Sequence, residues 1–427
     1  MSRPSRTSSP DRPGFWRSPL RGPWLTAVLG VVLLVGITVV SLTGLLSYAA
    51  YNPDLSPVND RTPGKGILGF YLFDWPTDPH WLYRLTQGLH VTVGIALIPV
   101  LLAKLWSVLP RLFELPPVRS PAHALERLSL LLLVGGVLFE TVTGVLNVQL
   151  DYLFPGSFYR LHFYGAWVFL GAFVVHVALR LPAALRMLRG PGLRERLRST
   201  EPEPYEPGGL APSDPAPASV TRRGALGMVG AGSLLLFATN AGQNFDGPLR
   251  ATALLAPHGG GEPGTGPNGF QINKTPAAVG IRLADLEEDR WRLVLDGPAG
   301  PVRLTRAELL ALPQHSAALP IACVEGWSTS DQWWRGVRLR DLAGLAGYEE
   351  GRAMPDVLVE SVQTRGAFRR VALRGNQVGD PRSLLALEVN GETLSTDHGY
   401  PARVIVPAAP GVHATKWVNR MSFGELT

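Results

Sequence analysis

Four long apolar runs occupy the first half of this 427-residue chain and constrain its fold more than any other feature. Each run carries little charge, whereas soluble helices of similar length normally have one polar face. A run of about 20 apolar residues can cross the roughly 30 Å hydrocarbon layer of a lipid bilayer as a helix. We therefore expect four membrane-spanning helices, at approximately residues 24–49, 87–109, 127–149 and 159–181.

Arginines beside these runs predict their orientation, because positively charged flanks stay in the cytoplasm. The Arg-rich flanks are the N-terminal tail (residues 1–23), the loop between the second and third runs, and the segment after the fourth run. The loops at about 50–86 and 150–158 are acidic instead and contain Asp54, Asp60, Asp74, Asp78 and Asp151. We expect these two loops on the opposite side of the membrane, which makes the second and fourth helices parallel.

A Pro-, Gly- and Glu-rich stretch follows at residues 190–220, and its composition predicts a cytoplasmic linker that does not fold. The next segment, 221–245, starts with Arg222-Arg223 and continues as a Gly/Ala-rich apolar run. This pattern resembles a twin-arginine export signal in an internal position, which implies the twin-arginine translocase as a partner. The alternative is a fifth span with ordinary flanking arginines. Both interpretations place the chain after about residue 245 outside the cytoplasm.

The sequence pattern changes from long apolar runs to short strand-like runs after a second Gly/Pro-rich linker at residues 246–269. Short strand-like runs (WRLVLDG, PVRLT, ARVIVP) and one helical stretch (LRDLAGLAG) predict a soluble α+β, mostly β domain over residues 270–427. The expected fold is therefore a membrane all-α four-helix bundle at 24–189, one further apolar helix, and this soluble domain. We expect a multi-pass protein of the cytoplasmic membrane with its C-terminal domain on the extracytoplasmic side.

The charge balance argues against a nucleic-acid partner. The net charge of +6 comes from 40 Lys and Arg against 34 Asp and Glu, and only four of the basic residues are lysines. We attribute this arginine bias to genome composition. Charged residues make up 17% of the chain, below the roughly 25% of soluble proteins, which disfavours a disordered protein or a purely cytosolic enzyme.

The chain has a single cysteine, Cys323, which excludes an internal disulfide and any multi-cysteine metal site within one chain. It lies in LPIACVEGWSTSDQWWRGVRLRDLAGLAG, after a strand-like run and before a Gly/Trp turn. This segment resembles the molybdenum-ligand segment of the sulfite oxidase superfamily of molybdopterin enzymes. The resemblance implies that Cys323 is the catalytic metal ligand. One soft thiolate suits a metal that two dithiolene sulfurs already hold.

A second segment, VNGETLSTDHGYPARVIVPAAPGVHATKW, resembles the part of the same family that holds the pterin. The resemblance implies that the pterin and its phosphate are contacted by His398, Arg403, Ala414, Thr415 and Lys416. An Arg fork and a Lys point charge suit a phosphate anion. The segments GFQINKT and VLVESVQ resemble parts of the family near the cofactor, and they imply further contacts from Asn273, Lys274 and Ser361.

Some of these residues have a structural alternative. Arg403 would then be a surface base on a strand, and Lys416 would form a surface cation–π pair with Trp417. For the other aromatic and His residues we expect structural positions: the core for Trp327, Trp333 and Trp334, and the surface or a loop for His315 and His413.

Histidines inside membrane helices are costly unless they bind something. His90, His162 and His176 lie in the second and fourth apolar runs, and the domain resembles four-helix b-type cytochromes, which implies haem b. His162 and His176 are 14 residues apart, so they share one helix face, but 14 residues after His90 stands Lys104. We expect one outer haem between His90 and His162, with His176 a candidate ligand that lacks a partner. The alternative is that these histidines are hydrogen-bonded contacts between helices.

Together the resemblances imply a membrane-anchored molybdopterin-dependent oxidoreductase. Quinol would give electrons to haem b, and the haem would pass them to the external molybdenum. The residues after Cys323 are closer to the bacterial periplasmic methionine sulfoxide reductase catalytic subunit than to classical sulfite oxidases, which favours reduction of a small-molecule or peptide S-oxide. The alternatives are an oxidase of sulfite or another small substrate that feeds electrons to the membrane, and a cofactor-free binding module on a membrane anchor.

Overall fold

The computed structural model describes residues 15–55, 73–113, 120–149, 157–190, 192–207, 209–245, 247–255, 267–349 and 353–426. Asp60, Asp151 and most of the N-terminal tail, on which part of the orientation prediction rests, lie outside these residues. The chain divides into two compact units of discontinuous segments. The first unit is Met1–Val40, Val93–Val145 and Tyr164–Phe237, and the second is Ser41–Thr92, Leu146–Phe163 and Ala238–Thr427.

Each predicted apolar run is helical. The helices in chain order are α1 (Pro23–Ala50), α2 (Leu82–Ala96), α3 (Ile98–Leu112), α4 (Pro121–Gln149), α5 (Phe158–Arg189), α6 (Leu193–Arg198) and α7 (Arg222–Ala241). Four helical segments of the described chain are long and apolar enough to cross a membrane, namely Pro23–Ala50, Arg127–Gln149, Phe158–Arg189 and Arg222–Asn244. Their arrangement as a membrane bundle stays a prediction.

The second apolar run differs from the prediction because it is broken into α2 and α3, which are bent by 42°. Pro99 lies in the first turn of α3. Proline lacks a backbone N–H and is tolerated in a first turn, so the chain restarts its helix at this point. The two helices qualify as a span only when they are taken as a pair.

The described residues of the Pro-rich segment at 190–220 make regular structure and tertiary contacts that its composition does not predict. It contains α6, and the Glu203 carboxylate accepts a hydrogen bond from the backbone N–H of Trp24 in the first turn of α1. Arg222 donates to the carbonyl oxygen of Glu201 at 2.7 Å. The segment therefore accepts a hydrogen bond from an N–H group that a helix N-terminus cannot satisfy internally. Such contacts do not require the segment to have a hydrophobic core of its own.

The predicted mostly β domain is confirmed. Within residues 267–349 and 353–426, two five-stranded sheets form. The first sheet has the order β2 (Val302–Leu304), β1 (Leu293–Asp296), β10 (Val418–Gly424), β5 (Asp356–Ser361) and β6 (Arg370–Leu373), with only β1 and β10 parallel. The second contains β3 (His315–Leu319), β4 (Gln332–Arg338), β7 (Leu384–Val389) and β8 (Glu392–Thr393), and β9 (Arg403–Ile405) pairs with β7. Short helices α8 (Arg306–Ala311), α9 (Leu339–Leu345) and α10 (Gly375–Gly379) connect them.

Both sheets contribute to one hydrophobic core. Its fully buried residues include Leu293 and Met421 of the first sheet and Leu385 of the second. Tyr51 and Trp75, which come from the segments next to α1 and α2, belong to the same cluster. The parts of the apolar helices that fall in the second unit therefore share the core of the β domain.

Two tryptophans of β4 behave differently, although we expected both in the core. Trp334 is fully buried, whereas Trp333 is 56% exposed. Successive side chains of a strand point to opposite faces, so neighbouring residues cannot both enter one core. Trp327 is buried as expected, and His315, at the start of β3, is half-buried.

We predict that Gly336→Ala in β4 destabilises the protein by about 1–3 kcal/mol, since the new methyl group overpacks a closed site. Its Cβ would lie 2.7 Å from the Cα of Ala386 on the paired strand β7. The control is Gly344→Ala in α9, where a Cβ meets nothing within 4 Å and helix propensity adds about 0.5–1 kcal/mol. Thermal unfolding of the full-length protein in detergent measures both. Equal effects of the two substitutions would contradict the pairing of β4 with β7.

Candidate active site

Cys323 lies in a tight turn that follows β3. Its backbone N–H donates to the carbonyl oxygen of Trp327 at 2.8 Å, and the Gly326 N–H donates back to the Cys323 carbonyl at 3.1 Å. Gly326 has φ +88°, a conformation that favours glycine. The turn therefore holds the thiol by backbone geometry, and the side chain of Cys323 is half-buried.

The thiol is in an environment that disfavours its anion. Burial, and then the nearby carboxylate of Glu325, raise the pKa of Cys323 well above its usual value. A metal-binding cysteine must lose its proton, and metal binding supplies the compensating positive charge. The site thus suits a ligand thiol better than a nucleophile that must be ionised without a cation.

The Cys323 turn is tied to the second predicted motif. The N–H of Gly411 donates to the carbonyl oxygen of Ala322 at 2.6 Å. A Cβ at Gly411 would lie only 2.9 Å from that oxygen, so the two chains approach closely. This contact joins the cysteine to the loop that ends in Thr415 and Lys416.

Arg403 and Lys416 are both buried, which excludes the surface positions that the sequence left open for them. Arg403 on β9 is 2% exposed and donates to the carbonyls of His398 and Ala414, each at 3.0 Å. Lys416 donates from Nζ to the carbonyls of Asp397 at 2.7 Å and Lys274 at 2.8 Å. Lys416 also lies over the ring of its neighbour Trp417, as a buried pair.

Burial lowers the pKa of Arg403 to about 9. Burial and the positive charge of Arg403 together lower the pKa of Lys416 well below its usual value. Two like charges held together in a dry site are unfavourable without an anion. The pair therefore favours binding of a negatively charged group.

Buried donors at the same place fit a phosphate. Arg403 Nε, Thr415 Oγ1 and His413 Nδ1 are buried and have no hydrogen-bond partner within the part of the chain that the structure describes. An oxyanion accepts such donors with charge assistance from the Arg fork. The residues present therefore fit the pterin phosphate that the resemblance implies.

His398 helps to build this site through its backbone. Its ring is stacked on Phe270 with centroids 3.7 Å apart, and Nε2 lies 3.2 Å from the Phe270 carbonyl oxygen. Burial, followed by the charges of Arg403 and Lys416, lowers the pKa of His398 to about 3, so its ring stays neutral. Its carbonyl meanwhile orients Arg403.

The remaining predicted contacts lie around Lys416, with one exception. The Ser361 hydroxyl donates to the Lys416 carbonyl at 2.8 Å, and Lys274 donates to the Gln363 side chain at 3.2 Å. Asn273 is exposed. The structure thus brings Lys274, Ser361, His398, Arg403, Ala414, Thr415 and Lys416 together, and their contacts with a pterin stay predictions.

Residues 280–426 match the family described as the oxidoreductase molybdopterin binding domain. The match covers part of the chain and supports a molybdopterin-binding oxidoreductase domain there.

Three curated relatives illustrate the likeness. Rat mitochondrial sulfite oxidase is 30% identical over 166 residues, which cover 33% of this chain and 30% of that protein. The uncharacterized oxidoreductase YuiH of Bacillus subtilis is 31% identical over 135 residues, 31% of this chain and 65% of that protein. Barley nitrate reductase [NAD(P)H] is 38% identical over 94 residues, 21% of this chain and 10% of that protein. The chain therefore spans about a third of the sulfite oxidase and a smaller share of the nitrate reductase.

His413 lies in the loop between β9 and β10, as one of the two expectations had it, but it is buried and not at the surface. It is 1% exposed, and its ring centroid is 5.8 Å from that of Tyr51. A loop residue is exposed only if nothing packs over the loop, and here an aromatic side chain from another part of the second unit does. Burial lowers the pKa of His413 to about 3.

The predicted haem ligands His90 (α2) and His162 (α5) lie together in the second unit. Their ring centroids are 6.2 Å apart. Zinc–imidazole nitrogen bonds are about 2.0–2.1 Å long, so two rings at this separation are close enough to share one metal ion of similar bond length. Gly44 of α1 packs against His90, and a Cβ there would lie 2.9 Å from Cε1. The pair therefore fits a bis-imidazole ligand set.

His176 is placed differently, in the first unit. Its charged neighbours are Lys104 and Arg180, and Lys104 donates to the Thr26 carbonyl at 2.6 Å. Lys104 stands 14 residues after His90, the same spacing that separates His162 from His176, so a second ligand pair would need a histidine at its position. The structure therefore brings His176 together with a cation.

Some residues near these groups escaped the sequence analysis. Tyr83 is seven residues before His90, and Tyr159 is three before His162, spacings that put each pair on one helix face. Glu140 is a carboxylate inside the apolar run of α4 and packs against Gly165 of α5. An ionisable residue within a membrane span is a functional candidate by default, so the sequence alone could have singled out Glu140.

We predict that Arg403→Ala lowers the molybdopterin content of the purified protein by about tenfold, because it removes charge-assisted hydrogen bonds to the phosphate. The control is Arg335→Ala, which removes a half-exposed arginine paired with Glu388 at 2.7 Å. Fluorescence of the oxidised pterin and molybdenum analysis measure the content. Full cofactor content in Arg403→Ala would contradict the assignment.

We further predict that stability falls as the pH is lowered from about 6.5 towards 3, because His398 and His413 have pKa values of about 3 in the folded protein. The unfolded chain takes up these protons near pH 6.5, so acid favours unfolding. His398→Gln and His413→Gln should each reduce the loss of melting temperature between pH 7 and pH 5. An unchanged pH slope in both variants would refute this origin.

Proposed function

We propose that this protein is a membrane-anchored molybdopterin-dependent oxidoreductase that passes electrons between the quinone pool, haem b and molybdenum. In this proposal it reduces an S-oxide or related substrate by oxygen-atom transfer. The observation that carries it is the hydrogen bond from Gly411 to Ala322, which joins the Cys323 turn to the loop of the buried cations. A soft thiol and a phosphate-type pocket are thereby held in one site.

The chain would hold the molybdenum cofactor through two kinds of contact. Cys323 would ligate the metal, while Arg403, Thr415 and Lys416 would hold the phosphate. When bound, the cofactor would supply a centre that takes an oxygen atom from a substrate while giving up two electrons, or gives an oxygen atom while accepting two. The protein positions the thiol by its backbone turn, and Trp327 fixes the neighbouring Glu325 through an indole N–H hydrogen bond of 2.8 Å.

The membrane part would supply the electrons. His90 and His162 would hold haem b, and they lie on helices whose ends belong to the same compact unit as the molybdopterin domain. Quinol in the bilayer would be the donor. The candidate spans support membrane attachment, and Arg222-Arg223 at the start of α7 support export by the twin-arginine translocase. The C-terminal domain would then lie on the extracytoplasmic side.

The electrostatics next to Cys323 favour a neutral substrate. The carboxylate of Glu325 is a charged neighbour of the thiol, and like charges repel, so an anion such as sulfite is disfavoured. An S-oxide is neutral.

The second candidate is oxidation of sulfite or another small substrate, which the likeness to mitochondrial sulfite oxidase favours. The names of the relatives include both an oxidase and a reductase, so they do not fix the direction of electron flow. A cofactor-free binding module is the third candidate. The buried donors that fit a phosphate argue against it.

We predict that Cys323→Ser abolishes oxygen-atom transfer, with a loss of at least about a hundredfold, because it removes the thiolate ligand. Pterin content should remain near that of the unsubstituted protein, since Arg403 and Lys416 hold the phosphate independently. The assay is anaerobic reoxidation of the dithionite-reduced protein by a panel of S- and N-oxides, followed at the haem absorption band. Turnover of the serine variant within tenfold of the original protein would contradict the proposal.

We also predict one low-spin haem per chain, lost in His90→Ala and in His162→Ala and retained in His176→Ala. The first two substitutions remove a ligand of the same iron, whereas His176 lies beside Lys104. A pyridine haemochrome assay gives the stoichiometry. Two haems per chain, or loss of the only haem in His176→Ala, would show that the ligand pair is wrong.

A further inference from the structure

Three tyrosines from the ends of the apolar helices meet in the second unit. Tyr51 directly follows α1, Tyr83 is in the first turn of α2 and Tyr159 is in the first turn of α5. The hydroxyl oxygens of Tyr51 and Tyr83 are 3.4 Å apart, and the ring centroids of Tyr51 and Tyr159 are 5.6 Å apart. We name these three residues the tyrosine cluster.

The helix that carries Tyr83, α2, lies against the Cys323 turn. Gln87, one turn after Tyr83 on α2, donates to the Val324 carbonyl at 2.5 Å. Val91, a further turn along, packs so closely on Gly326 that a Cβ there would lie 2.6 Å from it. These contacts hold α2 against Val324 and Gly326, the two residues that flank Glu325.

Each phenol of the tyrosine cluster is an electrostatic neighbour of the Cys323 thiol. The cluster also touches the phosphate loop, because the ring of Tyr51 packs edge-on against that of His413. The helix ends therefore reach both halves of the candidate active site.

The chemistry of the tyrosine cluster suits a neutral oxygen atom. A phenol hydroxyl keeps its proton at neutral pH and can donate it in a hydrogen bond. Phenol donors bind an S-oxide oxygen without a cation, next to the Glu325 carboxylate that disfavours anions. Tyr51 and Tyr83 are buried, whereas Cys323 and Tyr159 are half-buried, so Tyr159 is the accessible phenol of the cluster.

We propose that the tyrosine cluster forms part of the substrate site: Tyr159 donates a hydrogen bond to the oxygen of a neutral S-oxide beside Cys323, and the buried Tyr51 and Tyr83 hold Tyr159 in position. This inference rests on the proposed function and extends it, since the membrane helices would complete the site as well as anchor it. In the overall reaction the S–O bond breaks, the sulfoxide is reduced to a sulfide, and a quinol is oxidised to a quinone. The oxygen leaves as water with the two protons and two electrons of the quinol.

The first arm of the test needs no cofactor. Cys323 is the single cysteine of the chain, so maleimide labelling of the full-length, cofactor-free protein in detergent reports on this thiol alone. Tyr51→Ala and Tyr159→Ala should raise the labelling rate by about fivefold or more, because reactivity follows exposure. Tyr348→Ala is the matched control, since that half-buried tyrosine bonds to the Phe423 carbonyl at 3.2 Å. Unchanged rates in both cluster variants overturn the inference.

The second arm uses the loaded enzyme and substitutions that keep the packing. Tyr159→Phe should raise the KM for dimethyl sulfoxide by about tenfold, the effect of one lost hydrogen bond. Tyr83→Phe removes only a hydrogen bond within the cluster and should raise the KM less. Molybdenum and pterin contents should not change. A KM of Tyr159→Phe equal to that of the unsubstituted enzyme overturns the inference.

The two arms separate this inference from the proposed function. An unsubstituted holoenzyme that contains molybdenum but reduces no sulfoxide contradicts the proposed function, and with it the substrate named here. An active enzyme whose Tyr159→Phe variant keeps a normal KM contradicts the tyrosine cluster alone.

Discussion

The burial of two cations, Arg403 and Lys416, is the constraint on which the architecture of the C-terminal domain depends. Arg403 Nη1 and Nη2 and Lys416 Nζ donate to backbone carbonyls of three separate segments, those of His398, Ala414, Asp397 and Lys274, while Arg403 Nε has no partner among the described residues. Carbonyls leave the net positive charge uncompensated, and a low-dielectric site makes that charge expensive. The loops therefore converge on a place that an anion would stabilise. A cofactor phosphate would supply that anion.

The division of the chain into compact units has a functional meaning. The ends of α1, α2 and α5 belong with the β domain, and their side chains enter its core and its candidate site. Gln87 holds the Cys323 turn, and His90 follows one turn later on the same helix. A candidate haem ligand and a candidate molybdenum ligand are thus joined through one hydrogen bond and one turn of helix. Such a short connection suits electron transfer between two cofactors.

Local signals in the sequence were reliable where one physical effect dominates. The apolar runs are helices, ARVIVP contains β9, LRDLAGLAG contains α9, and Cys323 follows a strand in a glycine turn. The failures arose where a distant contact overrides local composition. The Pro-rich segment is ordered because Glu203 caps α1, and His413 is buried because Tyr51 covers it.

The sequence by itself determined the kinds of element and the chemical groups available. An apolar run of about 20 residues predicts a helix long enough to span a membrane. The residue types determine whether a thiol, a guanidinium or an imidazole is present. Only the tertiary structure decided which of these groups meet. It paired His90 with His162, set Lys104 beside His176, and brought three tyrosines to Cys323. Such pairings depend on contacts between residues that are far apart in sequence, and no local pattern encodes them.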